Sequence, residues 1–180
     1  MNLAILYLEG QGVKQSDKEA MFWNQKAADL GNAWAQNDIG VAYAEGRGTR
    51  KDLAQAIHWF RLAADQNLSA AQCALGLAYG KGFGVTKDMA QAQTWYILAA
   101  EQGDSLGQLN LAFIYAQGDG VPKDLVRSYM WLSLALMSGL AVEGDPLKEI
   151  SSEMSSEEIE QAKAMAREWQ LRPRRNGSKH

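Results

Sequence analysis

The sequence predicts an all-α fold, an α-solenoid in which helix-turn-helix repeats stack and a C-terminal helix caps the stack. Two observations predict it: the same residue types return every 36 residues, and each repeat carries an apolar stripe of helical period. Periods of roughly 20 to 50 residues are typical of arrays whose units bury their apolar faces against their neighbours. The recurring positions are Tyr7, Tyr43, Tyr79 and Tyr115; Trp23, Trp59, Trp95 and Trp131; Ala27, Ala63, Ala99 and Ala135; and the pairs Gly10/Gly12, Gly46/Gly48, Gly82/Gly84 and Gly118/Gly120.

The first helix of each repeat, helix A, is predicted to begin near Ala33, Ser69 and Ser105. Ser69 with Gln72, and Ser105 with Gln108, have the spacing of a capping box. Glutamine at positions 36, 72 and 108 could also form a polar recognition ladder, but capping and hydrogen bonding between repeats is the favoured interpretation. Small residues at positions 40, 76 and 112 would let a partner helix approach closely.

A glycine-rich turn follows helix A, as in YGKGFGV at residues 79–85. A dinucleotide-binding loop would need a preceding strand and a third glycine, where this chain has Lys87. Lys81 would face the phosphate, yet its counterparts in the other repeats are two glutamates and a glutamine. The four copies therefore favour a turn between antiparallel helices, in which glycine accepts a positive φ.

The second helix, helix B, carries an apolar stripe in which Ala56, Trp59 and Ala63 stand at i, i+3 and i+7. Because every repeat has the tryptophan, it is assigned to the core and not to ligand binding. Aspartate and serine cap the start of helices, and glycine and asparagine close their ends in the left-handed conformation. The predicted caps are Ser16, Asp52, Asp88 and Asp124, and the predicted closing residues are Gly31, Asn67, Gly103 and Gly139.

Residues 140–172 are predicted to form the capping helices, and residues 173–180 a disordered tail. Ser155 with Glu158 fits a capping box, and an apolar face follows along the helix. A solenoid needs an end unit of this kind, apolar inward and polar outward. The apolar face consists of Ile159, Ala162, Ala166 and Trp169.

The other end differs, because Met1 aligns with Asn37 and Cys73. The first helix A therefore lacks its opening turn, and an apolar edge is expected there. Such an edge would favour a weak homo-oligomer.

Composition argues against several classes of protein. The chain has 180 residues, 47% of them hydrophobic, and a net charge of −3, so it offers no field for nucleic acid. The single cysteine, Cys73, excludes an internal disulfide. No stretch approaches the roughly 18 apolar residues of a membrane span. The absence of a signal peptide favours a cytoplasmic location, and a periplasmic one stays open if a signal was removed.

The sequence holds none of the familiar patterns of catalytic or metal-binding residues. It has no H-E-x-x-H, no metal-spaced set of cysteines and histidines and no G-x-S-x-G. No serine is followed three residues later by lysine. We therefore expect neither enzymatic activity nor a cofactor nor a metal.

The stretch ALGLAYGKGFGVTKDMAQAQTWYILAAEQG, residues 74–103, resembles the Sel-one-like repeat of the tetratricopeptide superfamily. The resemblance is carried by Leu-Gly and Tyr on helix A, the Gly-x-Gly-Val turn, the Asp before helix B, and the Trp and Ala-Ala within it. It implies a right-handed α/α superhelix and a bacterial origin. It covers residues 1–139, as a partial repeat 1–31 and full repeats 32–67, 68–103 and 104–139.

A helical wheel of helix A places positions 34, 38, 41 and 45 opposite the structural positions. The resemblance implies a concave groove lined at the positions matching 34, 37, 41, 44 and 45, so the two routes agree on three. Four occupants are large and apolar, and packing between adjacent helices A is the alternative to partner binding. The candidate partner-binding residues are Trp34, Asn37, Val41, Glu45, Leu77, Lys81, Leu106, Phe113 and Gln117.

We therefore expect a non-catalytic scaffold or adaptor that holds a protein or peptide partner on the concave helix A surface. Two alternatives stay open. One is a hydrolase or β-lactam-binding protein related to cysteine-rich members of the family, whose paired cysteines are missing here. The other is a self-assembling structural module that uses the N-terminal edge.

Overall fold

The computed structural model describes residues 3–172, and within that range the chain forms ten α-helices and no strand. The segment expected to be a disordered tail, residues 173–180, lies outside the described residues. The helices are α1 (Leu3–Glu9), α2 (Asp17–Asp29), α3 (Ala33–Glu45), α4 (Leu53–Asp65), α5 (Ser69–Lys81), α6 (Met89–Glu101), α7 (Ser105–Gln117), α8 (Leu125–Met137), α9 (Pro146–Ser151) and α10 (Ser156–Leu171).

The helices fall into two compact units, α1 to α5 and α6 to α10, with the boundary along the chain between Lys87 and Asp88. In the first unit, each helix from α1 to α5 packs against the next one along the chain. In the second unit, α7 packs between α6 and α8, and α8 also contacts α9 and α10. Helices A are α1, α3, α5 and α7, and helices B are α2, α4, α6 and α8, as the repeat predicts.

The predicted caps of helix B are confirmed. Asp52 Oδ1 accepts hydrogen bonds from two amides of the first turn of α4, both at 3.0 Å. Asp88 and Asp124 each accept one such bond, at 3.0 Å in α6 and 2.9 Å in α8. Ser16 Oγ accepts from an amide of α2 at 3.3 Å. The closing residues also behave as predicted, since Asn67 takes a φ of +65°, the left-handed value that glycine adopts in the other repeats.

The predicted starts of helix A are confirmed, but the two capping boxes are wrong. Ser69 and Ser105 are already the first helical residues, so the cap position lies one residue earlier. Leu68 occupies it in α5 and makes no side-chain hydrogen bond to the helix. In α7 the cap is Asp104, whose Oδ1 accepts from Gly107 N at 2.8 Å.

The glutamine of each helix A donates a hydrogen bond to a carbonyl near the end of the preceding helix B instead. Gln36 Nε2 donates to the carbonyl of Ala28 at 3.4 Å, near the end of α2. The same bond joins Gln72 to the end of α4 at 3.4 Å and Gln108 to the end of α6 at 3.3 Å. All three side chains are buried. The row therefore links one repeat to the next, and the hydrogen bonding predicted between repeats is confirmed.

The core consists of small residues on the facing sides of the helices, with a few large ones between them. Ile39, Leu75, Leu111 and Leu132 are fully buried. Trp131 is buried too, whereas the other three recurring tryptophans are half-buried, so the prediction that all four are core residues holds fully only for Trp131. Trp59 packs against a buried cluster that includes Ile39.

Candidate functional site

The candidate residues of the first unit lie on the faces of α3 and α5 that the core leaves uncovered. The buried side of α3 consists of Ala35, Gln36, Ile39 and Gly40. Trp34 stands outside that side and is 59% exposed, and Leu77 of α5 is 44% exposed. Asn37 and Val41 are half-buried, while Glu45 and Lys81 are exposed.

The second unit repeats this arrangement on α7. Leu106 is 53% exposed and Phe113 44% exposed, and Gln117 is exposed at the end of the helix. The opposite side of α7 is buried through Leu111, Ala112 and their neighbours. The nine predicted residues on α3, α5 and α7 are called the helix A stripe below. Within each unit its large apolar members are exposed, and Asn37 and Val41 are its least accessible members.

Arg47 is not one of the nine predicted residues, but it pairs with Glu45 of the helix A stripe. Its Nε lies 2.5 Å from Glu45 Oε2, and the two side chains form an ion pair. Arg47 also lines a small cleft of about 80 Å³ together with Val41 and Asp38. Burial raises the pKa of the Asp38 carboxyl, although a hydrogen bond with Asn37 and the charge of Arg47 act in the opposite direction.

A larger cleft in the second unit was not predicted from the sequence. It has a volume of about 590 Å³ and lies among the ends of α6, α8 and α10 and the first turn of α7. Trp169 and Gln108 are among its lining residues. The only signal in the sequence is at position 138, where a serine replaces the glutamine found at Gln66 and Gln102.

No cluster of three or more metal-ligating side chains occurs among residues 3–172. His58, which the sequence leaves without a pattern, is exposed on α4 and stacks edge-on with Trp59 at a centroid distance of 5.6 Å. Within the same described range, no helix combines the length and the apolar character that crossing a bilayer requires.

Comparison with known proteins identifies the repeat. The Sel1 repeat matches residues 1–32, 35–68, 69–104 and 105–140. A Sel1 repeat protein of solved structure from Oxalobacter formigenes is 35% identical, with a TM-score of 0.79 over 92% of this chain and 70% of that one.

A second solved structure supports the same fold. It is a protective antigen present in uropathogenic Escherichia coli strains that displays an SLR fold, the fold of Sel-one-like repeats. It is 33% identical, with a TM-score of 0.56 over 93% of this chain, and this chain spans 43% of its length. No curated protein matched. The predicted fold class, an all-α solenoid of helix-turn-helix repeats, is confirmed. The chain belongs to the Sel1 repeat family.

Proposed function

We propose that the chain is a non-catalytic scaffold that binds a protein or peptide partner through the helix A stripe. Sel1 repeat proteins are generally protein-interaction scaffolds without catalytic activity. One observation carries the proposal for this chain. Its helices A bury one side completely and leave Trp34, Leu106 and Phe113 between 44% and 59% exposed on the other.

The distribution of constant and variable positions supports a recognition role. The buried side of helix A repeats a small set of residue types, because each repeat needs the same contacts with its neighbours. The stripe changes from tryptophan and glutamate in α3 to leucine and lysine in α5 and to leucine, phenylalanine and glutamine in α7. Greater variation on the exposed face than on the buried side is what a surface selected for a particular partner requires.

The chemistry of the stripe indicates the kind of partner. Exposed aromatic and large aliphatic side chains provide anchors for apolar groups, and such anchors often dominate binding energy. Lys81 and the pair formed by Glu45 and Arg47 provide charges of both signs beside them. We infer a partner segment that presents apolar side chains with polar or charged residues between them. A strongly acidic or strongly basic segment would meet like charges here.

Peptide-library panning with three proteins tests the proposal. The first is the parent chain, and the second carries Trp34→Ala, Leu106→Ala and Phe113→Ala. The third is a matched control with three exposed apolar residues of helices B replaced by alanine. These control positions are Phe22, Leu62 and Leu98, which are 50%, 36% and 39% exposed.

We expect the parent and the control to enrich the same peptides and the stripe variant to lose them. Removal of one aromatic anchor commonly costs about 2 kcal/mol, so the triple change should weaken binding at least a hundredfold. Circular dichroism must first show that all three proteins are equally folded. Equal enrichment by the stripe variant, or no enrichment by any of the three, would contradict the proposal.

Self-association is the second candidate, and the exposure of α1 favours it. Leu3 and Ile5 are each 42% exposed on this helix. A contact between two copies would cover these apolar side chains. Light scattering across micromolar concentrations tests this candidate, because a constant monomer mass would contradict it.

A further inference from the structure

The cleft of about 590 Å³ in the second unit has an apolar side and is also lined by Gln108, whose side chain is buried. Its volume lies within the range of small-molecule sites, roughly 300 to 1,000 Å³. Leu134 and Met137 of α8 form an apolar side, and Trp169 of α10 faces Gly103 across the end of α6. None of these residues belongs to the helix A stripe.

Gln108 supplies the acceptor. Its side chain is 2% exposed, and its Nε2 donates to the carbonyl of Ala100 at 3.3 Å. Its Oε1 is buried and has no hydrogen-bond partner. A buried carbonyl oxygen without a donor destabilises the folded state, because its hydrogen bonds to water are lost on folding and no hydrogen bond within the protein replaces them.

The first unit shows one way in which a repeat satisfies this atom. Gln36 occupies the equivalent place in α3, and its Nε2 donates to the end of α2 in the same manner. Its Oε1 accepts a hydrogen bond of 2.7 Å from Nε2 of Gln66, the residue that caps the end of α4. In that repeat both ends of the buried amide therefore have partners within the protein.

The second unit lacks the donor. The residue that caps the end of α8 is Ser138, which stands 72 residues after Gln66 and occupies the same place in the repeat. Its short side chain turns back and donates from Oγ to the carbonyl of Ala135 at 2.7 Å. Ser138 lines the cleft together with Gln108. The exchange of glutamine for serine thus leaves Gln108 Oε1 without the donor that Gln66 provides in the first unit.

The opposite wall is held in place by α10. Trp169 packs edge-on against Trp131 with 5.9 Å between ring centroids, which fixes the indole at the mouth of the cleft. Gln170 Nε2 lies 3.6 Å from the sulfur of Met137 and closes the same side. A flat apolar group placed in the cleft would therefore rest against a ring, a thioether and Leu134.

Charge at the rim favours a neutral ligand. Glu101 lines the cleft, and Arg172 at the other edge lies 3.5 Å from Glu168, which offsets its charge. A carboxylate would face the oxygen of Gln108 with acceptor against acceptor and would also be repelled by Glu101. A primary amide has the N–H that this oxygen needs and carries no charge.

We propose that this cleft binds a small neutral molecule that donates an amide N–H to Gln108 Oε1 and places an apolar ring against Trp169, Leu134 and Met137. The site is separate from the helix A stripe, so it stands or falls independently of the proposed scaffold function. The N–H of the ligand would take the place of the donor that Gln66 supplies in the first unit and that Ser138 does not supply in the second.

The test uses 3-phenylpropanamide as the probe and methyl 3-phenylpropanoate, which has no N–H donor, as the matched compound. Binding is followed by the indole N–H signal of Trp169 in two-dimensional NMR, identified by its loss in Trp169→Phe. We expect the amide to shift this signal at millimolar concentration and to bind about tenfold more tightly than the ester, because one hydrogen bond separates them.

Two variants of the full chain decide the role of Gln108. Ser138→Gln restores the donor found in the first unit, so it should weaken binding of the amide about tenfold or more and should not lower the unfolding temperature. Ser138→Glu is nearly the same size but has no N–H to give, so it should retain binding within about threefold.

Three results would overturn the proposal. One is the absence of any shift of the Trp169 signal with the amide. Another is equal affinity for amide and ester. The third is equal loss of binding in Ser138→Gln and Ser138→Glu, which would mean that side-chain size alone blocks the cleft.

Discussion

At the scale of single residues, the ionised carboxylate of Asp38 destabilises the folded state because it is partly buried. Burial raises the pKa of its carboxyl above the ordinary 3.8, against the opposing effects of Asn37 and Arg47. Asp17 of α2 lines the same small cleft and adds a second acidic group to it. The folded chain therefore binds a proton at Asp38 more tightly than the unfolded chain does. Ionisation of this carboxyl opposes folding at neutral pH, and this cost disappears as the pH falls through the raised pKa.

Asp38→Asn should therefore raise the free energy of unfolding at neutral pH, since the amide has a similar shape and no charge to desolvate. The gain should shrink as the pH falls towards 3.8, because the parent carboxyl then becomes neutral in the folded state as well. Urea unfolding of the parent and the variant at a series of pH values measures the difference. A loss at neutral pH would show that the attraction to Arg47 is the larger effect. A gain that does not change with pH would show that the gain does not come from removing an ionised carboxyl.

The exposure of the large apolar residues on the helix A stripe could be predicted from the sequence because helical periodicity separates buried from exposed positions. Trp34, Leu106 and Phe113 are exposed as the helical wheel requires. Val41 could not be placed from the wheel alone, because it is half-buried and lines the small cleft that residues of α1 and α2 also line. Such contacts depend on how neighbouring helices pack and leave no mark on the periodicity of a single helix.

At the scale of elements, the spacing between α3 and α4 is set by the pair Gly40 and Phe60. A Cβ built on Gly40 would lie 2.6 Å from ring carbons of Phe60, which is itself only 7% exposed. The helices therefore approach until the ring rests on the glycine backbone. The equivalent pair of the last repeat is Ala112 with Leu132, in which a larger residue on helix A is matched by a thinner one on helix B.

Gly40→Ala should destabilise the protein by about 1–3 kcal/mol, because the added methyl group must displace a buried ring. This loss would occur although alanine is the better helix former by about 1 kcal/mol. The double change Gly40→Ala with Phe60→Leu copies the pair found in α7 and α8 and should recover part of the loss. Thermal and urea unfolding of the single and double variants measure both effects. Stabilisation by Gly40→Ala alone would show that the ring moves aside freely.

The sequence predicted where the elements begin and end better than it predicted which side chains join them. The starts of helix A and the caps of helix B follow from local patterns, and the structure confirms them. The capping box at Ser105 was wrong because Asp104 already provides the cap and Gln108 is drawn into the interior to bond the end of α6. A pattern of four residues cannot register a bond made between helices. The cleft beside Trp169 was missed for the same reason, since α10 has no counterpart in the repeat.

At the scale of the whole molecule, a repeat array is stable only if its last unit is covered, because each unit buries its apolar side against the next. In this chain α10 covers α8. Ala162 and Ala166 are the buried residues of α10, and Trp169 packs against Trp131. Small residues let the capping helix lie close to α8, while a serine and glutamate capping box fixes where it begins.

Ala162→Glu should remove this cover without changing any residue of the repeats. Ala162 is fully buried, so a carboxylate there must either lose its water or push α10 away from α8. We expect the free energy of unfolding to fall by about 3 kcal/mol or more and an apolar face that includes Trp131 and Leu134 to become accessible. Binding of a dye for apolar surfaces and light scattering measure that exposure and the self-association it should cause. Gln161→Glu is the control, since it adds the same charge one residue earlier at an exposed position and should leave both measurements near those of the parent. If both variants behaved like the parent, α10 would not be needed to cover the array, and the last repeat would have to be stable with its apolar side in water.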